Sequence, residues 1–410
     1  MTIAFLTLGC KLNYAETSSY ERAFRAAGLE VVSPRQAADI YLINTCSVTA
    51  TSDSKSRNLI RKVHRINPDA RIVVTGCSAE LRKSEIEQIE GVWRVFGAKD
   101  KSRVVSETLG QEVPADASSD IFPAYSSGER TRSFLKVQDG CSNYCAYCTV
   151  PYARGESRNL PICTCVRNAQ QIAALGMKEI VLTGVNTGDF GKTTGESFLD
   201  LLKALNEVDG IERIRISSIE PNLLSEEIID WIASGTKFQP HFHIPLQTGT
   251  DEQLTKMGRK YNTALFEHKI NYIRAAMEAP GKPKVFFGID VMVGLPGETE
   301  SSFEQTRAFI EKIRPAFIHV FPYSRRPGTP AAEMPGQVSE QEKKRRVAVL
   351  EELCVRLHNE FRQAHVGIKE KVLFESTVKG GKMEGYSGNY IRVEKPYDPS
   401  LVGQVVEVEL

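Results

Sequence analysis

Short apolar segments alternate with amphipathic helical patterns along most of the chain, and this alternation restricts the fold more than any other feature. In the first hundred residues, apolar runs at 3–8, 39–45 and 71–76 each precede a segment with helical periodicity. Strands that alternate with helices favour a parallel, doubly wound sheet, because each helix returns the chain to the next strand. We therefore predict an N-terminal α/β domain over residues 1–110.

A second alternating series begins near residue 134. Six βα units over residues 134–323 are too few to close an eight-stranded barrel. We therefore predict an open, partial (β/α)6 barrel as the core of a second domain, residues 131–365. The strand candidates are 134–138, 179–185, 213–219, 241–246, 285–293 and 317–323.

The remaining segments differ in character from both series. Residues 111–130 are polar and without periodicity, and we predict a linker there. A long charged helix is predicted over residues 339–366. Short alternating strands punctuated by glycine follow it, which predicts a small C-terminal all-β barrel over residues 366–410.

The composition indicates the compartment rather than the partner. Lys and Arg number 52 against 51 Asp and Glu, so any nucleic-acid binding must come from local patches. No apolar run approaches the roughly 20 residues that span a bilayer, and MTIAFLTLGC is interpreted as a strand rather than a signal peptide. We expect a cytoplasmic protein without a membrane partner, whose nine cysteines stay reduced and serve metal binding or catalysis.

Three cysteines, Cys141, Cys145 and Cys148, lie within eight residues directly after the first predicted strand of the second series. Loops at this position form the active sites of βα barrels. Closed structural zinc sites use four ligands, and Cys163 or Cys165 could supply the fourth. An iron–sulfur cubane held by three thiolates would instead leave one iron open to another molecule, as a catalytic cluster requires.

A second set of cysteines is spread along the first domain. Cys10, Cys46 and Cys77 each follow a predicted strand. Carboxyl ends of parallel strands meet at one edge of a sheet, and neighbouring strands lie about 5 Å apart. We predict that these thiols share a second metal site, the alternative being three buried cysteines that pack as small apolar side chains. The other cysteines are interpreted as packed or exposed thiols: Cys163, Cys165 and Cys354.

Both cysteine sets lie within extended motifs. These read TLGCKLNYAET, NTCSVT and VTGC in the first domain and QDGCSNYCAYCTVPYARGESR in the second. Together with GIDVMVGLPGETE and PYSRRPGTPA, they make essentially the whole chain similar to the radical S-adenosylmethionine (SAM) methylthiotransferases. The resemblance implies a cluster-binding N-terminal domain, a radical-SAM partial barrel and a C-terminal TRAM-type module that binds RNA.

The resemblance also implies the cofactors and the chemistry. Each cysteine set would hold a [4Fe–4S] cluster, and the set at Cys141 would bind SAM and cleave it to a 5′-deoxyadenosyl radical. A second SAM would methylate a sulfur on the cluster of the first domain, and the methylthio group would replace the hydrogen of an unactivated carbon. The reaction further needs a sulfur source and an electron donor such as flavodoxin or ferredoxin.

The substrate is indicated by a few residues around Cys10. The segment GCKLN resembles members that act on N6-threonylcarbamoyladenosine at position 37 of tRNA, within the anticodon stem-loop, and that modify C2 of the adenine. Two alternatives keep the chemistry but change the substrate: isopentenyl-adenosine 37 of tRNA, or an aspartate of a ribosomal protein. A third alternative, of another class, is a non-enzymatic iron–sulfur RNA-binding protein.

Several polar residues and one glycine at predicted strand ends are candidates for the SAM pocket, although turn chemistry alone explains such residues equally well. These candidates are Thr183, Gly184, Asn186, Ser218, Gln247 and Asp290. His241 and His243 share one face of a strand. We interpret them as core or substrate-facing, because the sequence offers no third metal ligand nearby.

Two groups of residues are candidates for RNA contact. Arg325 and Arg326 follow the last predicted strand of the barrel, at the end that faces the active site. The C-terminal module adds aromatic and basic side chains suited to base stacking and phosphate contact. These are Tyr386, Asn389, Tyr390 and Arg392.

Overall fold

The computed structural model describes residues 1–110, 121–128 and 131–410. The first of these segments forms a five-stranded parallel sheet with helices on both faces. Its strands are β1 (Thr2–Thr7), β2 (Glu30–Val31), β3 (Ile40–Thr45), β4 (Arg71–Gly76) and β5 (Val92–Val95). Its helices are α1 (Lys11–Ala26), α2 (Ala50–Ile66), α3 (Cys77–Leu81), α4 (Lys83–Glu87) and α5 (Val104–Leu109).

The strand order of this sheet is β2-β1-β3-β4-β5, and all pairs are parallel, as predicted. One face of the sheet packs against Ile60 and Val63 of α2, and the other against Tyr20 and Phe24 of α1. Because successive side chains point to opposite faces, a strand covered on both sides is apolar almost throughout. The order also makes β1, β3 and β4 neighbours, so their carboxyl ends lie side by side.

The second domain contains six parallel strands in sequential order. Two further short strands form an antiparallel ribbon next to the cysteine motif, which makes eight strands in all. The strands are β6 (Arg132–Lys136), β7 (Gln138–Asp139), β8 (Arg158–Asn159), β9 (Glu179–Thr183), β10 (Arg213–Ile216), β11 (His241–His243), β12 (Phe286–Val293) and β13 (Phe317–Pro322). The helices are α6 (Val150–Arg154), α7 (Ile162–Ala174), α8 (Phe198–Asn206), α9 (Glu226–Ala233), α10 (Asp251–Lys256), α11 (Thr263–Met277), α12 (Glu300–Ile313), α13 (Pro330–Glu333) and α14 (Glu340–Gln363).

Strands β6, β9 and β10 form one parallel sheet, and β11, β12 and β13 form another. The pairings Ile214–Phe238 and Ser218–His243 join the two sheets in parallel orientation, so all six predicted strands follow one another in space. Their apolar side chains form the largest core of the molecule. None of the helices in the described segments has an apolar stretch long enough to cross a bilayer.

The described part of the predicted linker is packed rather than extended. Tyr125 pairs with Leu135 of β6, and the ring of Phe122 stacks on Tyr20 of α1 at a centroid distance of 4.8 Å. Apolar residues within 121–128 therefore connect the first domain to the barrel, although the sequence around them is polar. The rest of that prediction, residues 111–120 and 129–130, lies outside the described residues.

The C-terminal residues form a four-stranded antiparallel sheet around a small core of Val372, Phe374 and Met383. Its strand order is β16-β15-β14-β17, which agrees with the predicted all-β module. The preceding helix α14 begins after Ser339, whose side chain accepts a hydrogen bond from the backbone of Glu342, and packs along β13. The strands are β14 (Lys369–Lys379), β15 (Lys382–Ser387), β16 (Arg392–Pro396) and β17 (Val405–Glu409).

Buried arginines attach this module to the barrel. Arg215 of β10 is buried, pairs with Glu179 at 2.7 Å, and donates to the carbonyl of Ser387 at 2.8 Å. Arg213 pairs with the same carboxylate at 2.8 Å and also donates to Ser387. Because a buried guanidinium needs its donors satisfied, these bonds fix the module against one end of the barrel.

Candidate active site between two cysteine triads

The first cysteine set, here called the barrel triad, comprises Cys141, Cys145 and Cys148 in the loop between β7 and α6. Tight turns fold this loop. The backbone of Cys148 donates to the carbonyl of Cys145, and Tyr144 adopts a left-handed conformation with φ of 48°. Cys141 and Cys145 are buried, and Cys148 is half-buried. The three thiols therefore lie close enough for the charge of Cys145 to act on both Cys141 and Cys148.

The surroundings of the barrel triad combine burial, which raises the thiol pKa values, with donors that point at the sulfurs. Burial raises the pKa of Cys141 to about 11 and that of Cys148 to about 12. Arg259 places a guanidinium nitrogen 3.1 Å from the Cys145 sulfur, and the backbone of Val150 donates to the Cys148 sulfur at 3.4 Å. Donors that point at the sulfurs stabilise negative charge there, and a metal would displace the protons.

A buried ion pair that the sequence motifs did not indicate lies next to the barrel triad. Glu220 accepts from Arg259 at 2.7 Å and from the side-chain amide of Asn143 at 2.9 Å. The segments SSIEP and KMGRKY carry Glu220 and Arg259 39 residues apart, so their pairing follows only from the barrel. Among the described residues, the second carboxylate oxygen of Glu220 is buried without a hydrogen-bond partner, which leaves it free to accept from a polar group of a ligand.

The candidates for SAM binding lie at the carboxyl ends of the strands, as predicted from the sequence. Asn186 is the most informative, because it is 4% exposed and, within the part of the chain that the structure describes, neither its side-chain oxygen nor its side-chain nitrogen has a hydrogen-bond partner. A buried amide without partners is unusual in a folded protein. The unpartnered amide of Asn186 and carboxylate oxygen of Glu220 fit the amino and carboxylate groups of an amino acid such as SAM.

The other candidates for SAM binding differ in exposure. Thr183 is buried and bonds to its own strand, whereas Ser218 and Asp290 are half-buried. Gly184 lies so close to a neighbouring strand that a Cβ there would be 2.8 Å from the side-chain oxygen of Gln138. Gln247 is half-buried and adopts a left-handed conformation with φ of 69°.

The second set, here called the N-terminal triad, comprises Cys10, Cys46 and Cys77. Cys46 and Cys77 directly follow β3 and β4, and Cys10 lies three residues after the end of β1. The three residues therefore lie at one edge of the sheet. Gly9 has φ of 101°, and a Cβ there would lie 2.9 Å from the Cys46 sulfur, so only glycine allows this approach. Burial raises the pKa of both Cys46 and Cys77, and the charges of other triad members raise it further.

A buried network of charges lies next to the N-terminal triad, between the first domain and the barrel. Glu16 accepts from Lys101 and Lys136, both at 2.8 Å, and from Arg154 at 3.2 Å. Asp139 pairs with Lys136 at 2.7 Å and with Arg154 at 2.8 Å. All five side chains are at most 4% exposed.

This network carries three cations against two carboxylates, which leaves one buried positive charge in excess. The charges of Arg154 and Lys101 both act on the Cys77 thiol and favour its thiolate, which opposes the rise in its pKa from burial. Buried charges in proteins are normally paired. The excess charge therefore fits an anionic group held by the N-terminal triad, and thiolates bound to an inorganic cluster would provide one.

The spacing of the thiols bears on which metal group they suit. In a tetrahedral zinc site with Zn–S bonds of about 2.3 Å, sulfur atoms lie about 3.8 Å apart. Across the described residues, the single group of His, Cys, Asp and Glu ligand atoms within 4.8 Å of one another is His243, Asp290 and His319. Neither cysteine triad forms such a group among the described residues.

A cavity of about 260 Å³ separates the two triads. Cys148 lies in its wall on the barrel side, and Val48 and Thr49, which closely follow Cys46, lie in its wall on the other side. Gln247 and Asp290 complete it from the strand ends. A substrate in this cavity would contact Cys148 of the barrel triad and the segment that follows Cys46.

The candidates for RNA contact fall into two groups in the structure. Asn389 is fully buried, and its side chain bonds to Lys284 and His365, so it is not available to RNA. Arg326 is 4% exposed and pairs with Asp53 at 2.6 Å. Its predicted role in RNA contact is therefore corrected as well, because its side chain is buried. The sequence could not show this, because the partners lie in other domains or on distant segments.

The aromatic candidates are also engaged. Tyr390 accepts a hydrogen bond from Arg132, and its ring contacts His241, while Tyr386 lies under the Arg132 guanidinium. Both tyrosines are half-buried at the contact between module and barrel. The exposed candidates that remain are Arg325, with 60% of its side chain accessible, and Arg392, which pairs with two glutamates.

The comparisons with known proteins agree with this geometry. Residues 2–97 match the model of a family described as uncharacterized protein family UPF0004, and residues 135–310 match the radical SAM superfamily. The radical S-adenosylmethionine methyltransferase TsrM from Kitasatospora setae, solved with cobalamin and a [4Fe–4S] cluster, has a TM-score of 0.58 and 14% identity. The alignment covers 81% of this chain and 77% of that one, and at this identity it shows the fold alone.

Relatives identified by sequence share a higher identity with this chain than that solved structure does. The threonylcarbamoyladenosine tRNA methylthiotransferase MtaB of Bacillus subtilis (strain 168) is 38% identical, over 100% of this chain and 93% of the relative. The enzyme of the same name from Aquifex aeolicus (strain VF5) is 35% identical, over 96% and 100%. The tRNA-2-methylthio-N(6)-dimethylallyladenosine synthase of Alkaliphilus oremlandii (strain OhILAs) is 31% identical, over 98% and 89%.

Fold and motif together define a radical SAM enzyme, which uses SAM and a [4Fe–4S] cluster. More narrowly, the chain belongs to the radical SAM tRNA methylthiotransferases. The family resemblance drawn from the motifs is thereby confirmed. The alternative of a non-enzymatic iron–sulfur RNA-binding protein is wrong, because the relatives are enzymes.

Proposed function

We propose that this enzyme methylthiolates C2 of N6-threonylcarbamoyladenosine at position 37 of tRNA, giving 2-methylthio-N6-threonylcarbamoyladenosine. The observation that carries the proposal is the cavity between the two triads, bounded by Cys148 on one side and by Val48 and Thr49 on the other. A base held there would meet the radical source and the sulfur donor together. The names of the Bacillus and Aquifex relatives support the choice of modified adenosine.

We further propose a second [4Fe–4S] cluster on Cys10, Cys46 and Cys77. The buried positive charge next to Cys77 supports an anionic group there, as thiolates bound to a cluster would be. When bound, the barrel cluster supplies the electron that splits SAM, and the second cluster supplies the sulfur. An electron donor such as flavodoxin or ferredoxin and a sulfur source complete the set of partners.

The protein's own residues bind and orient the cosubstrate. Asn186 and Glu220, with their unpartnered polar atoms, would hold the polar groups of SAM. Arg259 keeps the Glu220 carboxylate in place and neutralises the thiolate of Cys145. The remaining candidates for its ribose and adenine are Ser218, Gln247, Asp290 and the backbone groups of Thr183 and Gly184.

We propose residues 366–410 as a TRAM-type RNA-binding module, next to domains at residues 1–110 and 131–365 joined by a linker at 111–130. The anticodon stem-loop would reach the barrel mouth past Arg325 and contact Arg392 on the module. Both side chains are about half exposed or more. An anticodon loop suits such a site because its bases are already unstacked.

The proposal is tested with anaerobically reconstituted enzyme, reductant, SAM and an anticodon stem-loop that carries N6-threonylcarbamoyladenosine. We expect the methylthio nucleoside by mass spectrometry, together with 5′-deoxyadenosine. The matched substrate carries isopentenyl-adenosine at the same position. If that stem-loop is methylthiolated and the threonylcarbamoyl one is not, the proposed substrate is wrong although the enzyme class stands.

The two groups of RNA candidates predict opposite effects. Asn389→Ala is expected to lower the free energy of unfolding by about 1–3 kcal/mol, because it leaves buried partners unsatisfied, without changing tRNA affinity. Arg325→Gln is expected to weaken tRNA binding and lower the slope of log affinity against log salt by about 1, without changing stability. Urea denaturation and binding titrations at several salt concentrations measure these quantities. Weaker tRNA binding by a fully stable Asn389→Ala protein would contradict the assignment.

A further inference from the structure

The interior face of the barrel brings together three side chains that the sequence keeps far apart. His243, Asp290 and His319 lie on β11, β12 and β13, and their ligand atoms are within 4.8 Å of one another. The His243 Nε2 atom lies 3.0 Å from a carboxylate oxygen of Asp290. The rings of His243 and His319 stack at 5.2 Å with an angle of 15°.

The register of the sheet explains this group. Asp290 pairs with His319 and Gly288 pairs with His243, and residues paired across parallel strands share a face. Of the two histidines of β11, only His243 belongs to the group, and the neighbouring strands β12 and β13 supply Asp290 and His319. Asp290 also lines the cavity between the two triads, so the group adjoins the proposed reaction site.

Lys11 adds a positive charge from the opposite domain. It directly follows Cys10 at the start of α1 and is half-buried, and within the described residues its side chain has no hydrogen bond or ion pair. Its charge reaches the interior of the barrel, since it contributes to the lowered pKa of both His241 and His319. For His319, desolvation is the largest cause of the lowered pKa, and His243 adds to it.

We propose that Lys11 and His319, with His243 oriented by Asp290, form the site that receives the carboxylate of the threonylcarbamoyl group. This inference rests on the proposed function. The threonyl part of that substrate carries a free carboxylate, whereas an isopentenyl group is apolar. An ammonium with no ion pair among the described residues, and an exposed imidazole paired in register with the cavity-lining Asp290, match a carboxylate through charge-assisted hydrogen bonds.

A divalent metal ion is the competing occupant, because two imidazoles and one carboxylate form a common ligand set. The ammonium of Lys11 opposes it, since its charge acts on His319 and like charges in a partly buried site repel. The same ammonium attracts a carboxylate. A site that binds one charged group of the substrate also rejects analogues without it, because its own polar groups would then remain unpaired.

The test compares two anticodon stem-loops, one with the free carboxylate on threonylcarbamoyladenosine and one with the corresponding methyl amide. The reconstituted enzymes are wild type, Lys11→Gln, His319→Asn and the control Lys203→Gln, an exposed lysine on the outer helix α8. We expect wild type and the control to prefer the acid over the amide by about 10- to 100-fold in kcat/KM. Lys11→Gln and His319→Asn are expected to lose most of this preference, chiefly through KM for the acid.

Two readouts separate recognition from damage. Iron content and the amount of 5′-deoxyadenosine formed without tRNA are expected to match wild type in every variant. His319 lies on the barrel strand β13, far from Cys10 in the sequence. The His319→Asn variant therefore tests the site even if Lys11→Gln disturbs the neighbouring N-terminal triad.

The outcomes separate the carboxylate site from the proposed function. If both variants keep the wild-type preference, or if wild type itself does not distinguish acid from amide, the carboxylate site is wrong while the proposed function stands. A stoichiometric zinc or manganese ion that is lost in His319→Asn and kept in Lys11→Gln would also overturn it, in favour of a metal. Wild-type enzyme that modifies neither threonylcarbamoyl substrate, yet forms 5′-deoxyadenosine, would overturn the proposed function as well.

Discussion

A Cys77→Ala enzyme is expected to cleave SAM but no longer to methylthiolate tRNA. Cys77 belongs to the N-terminal triad, and the segment that follows Cys46 of that triad lines the cavity opposite to Cys148. Two thiolates remain there, and loss of one of three ligands is expected to release the cluster. The barrel triad is unchanged, so 5′-deoxyadenosine formation should persist while the methylthio nucleoside disappears.

Iron analysis gives an independent measure of the same change. Two [4Fe–4S] clusters correspond to about eight irons per chain, and Cys77→Ala is expected to hold about four. Cys145→Ala should also hold about four but lose both SAM cleavage and methylthiolation. Cys354→Ala is the matched control, because that thiol is buried against Ile318 and belongs to neither triad.

The result that would contradict the two-cluster proposal is specific. Cys77→Ala enzyme that keeps about eight irons and forms the methylthio nucleoside would show that Cys77 packs as an apolar side chain. Circular dichroism of the same samples shows whether a variant has lost activity because it has lost its folded structure.

A Glu16→Gln enzyme is expected to be less stable by about 3–5 kcal/mol, the cost typical of removing one partner from a buried charge network. Glu16 is buried and accepts from Lys101, Lys136 and Arg154. The amide of glutamine keeps the shape but removes the charge. Three buried cations then face the single carboxylate of Asp139.

The control lies on the same helix. Glu21→Gln removes an exposed carboxylate that pairs with Arg25 one turn away, and such pairs contribute little, about 0.3–0.5 kcal/mol. Urea denaturation followed by circular dichroism measures both variants. A Glu16→Gln protein as stable as Glu21→Gln would show that the network adds no stability.

The pH dependence provides a second check on Glu16. Burial alone would raise the pKa of this carboxyl, but Lys101, Lys136 and Arg154 outweigh it and hold the pKa well below its ordinary value. A lowered pKa contributes stability above the unfolded-state value of about 4.3, and this contribution is lost as the pH falls. The stability gap between wild type and Glu16→Gln should therefore narrow below about pH 5.

The strands and the two cysteine triads were predictable from the sequence. Apolar runs bounded by turn residues located the three long strands of the first domain and all six barrel strands to within a few residues. The positions of Cys10, Cys46 and Cys77 after successive parallel strands were enough to place them together, because parallel strands bring their carboxyl ends to the same edge. These inferences needed only the periodicity of the chain.

The surfaces where elements meet were not predictable in the same way. Asn389 and Arg326 are residue types that often contact RNA, yet segments distant in the sequence bury both side chains. The polar stretch before the barrel was interpreted as a linker, although Phe122 and Tyr125 pack against the first domain and β6. A residue type does not reveal which neighbour covers it.

The sequence by itself determined the alternation of strands and helices and singled out the six thiols proposed as cluster ligands, because both depend on local patterning and on spacing along one chain. Only the tertiary structure showed that Arg259 contacts the Cys145 sulfur, that Glu16 is the centre of a buried charge network, and that His319 lies close to Asp290. Those contacts depend on strand register and on how the domains pack against each other. Neither is encoded in the pattern of any single segment.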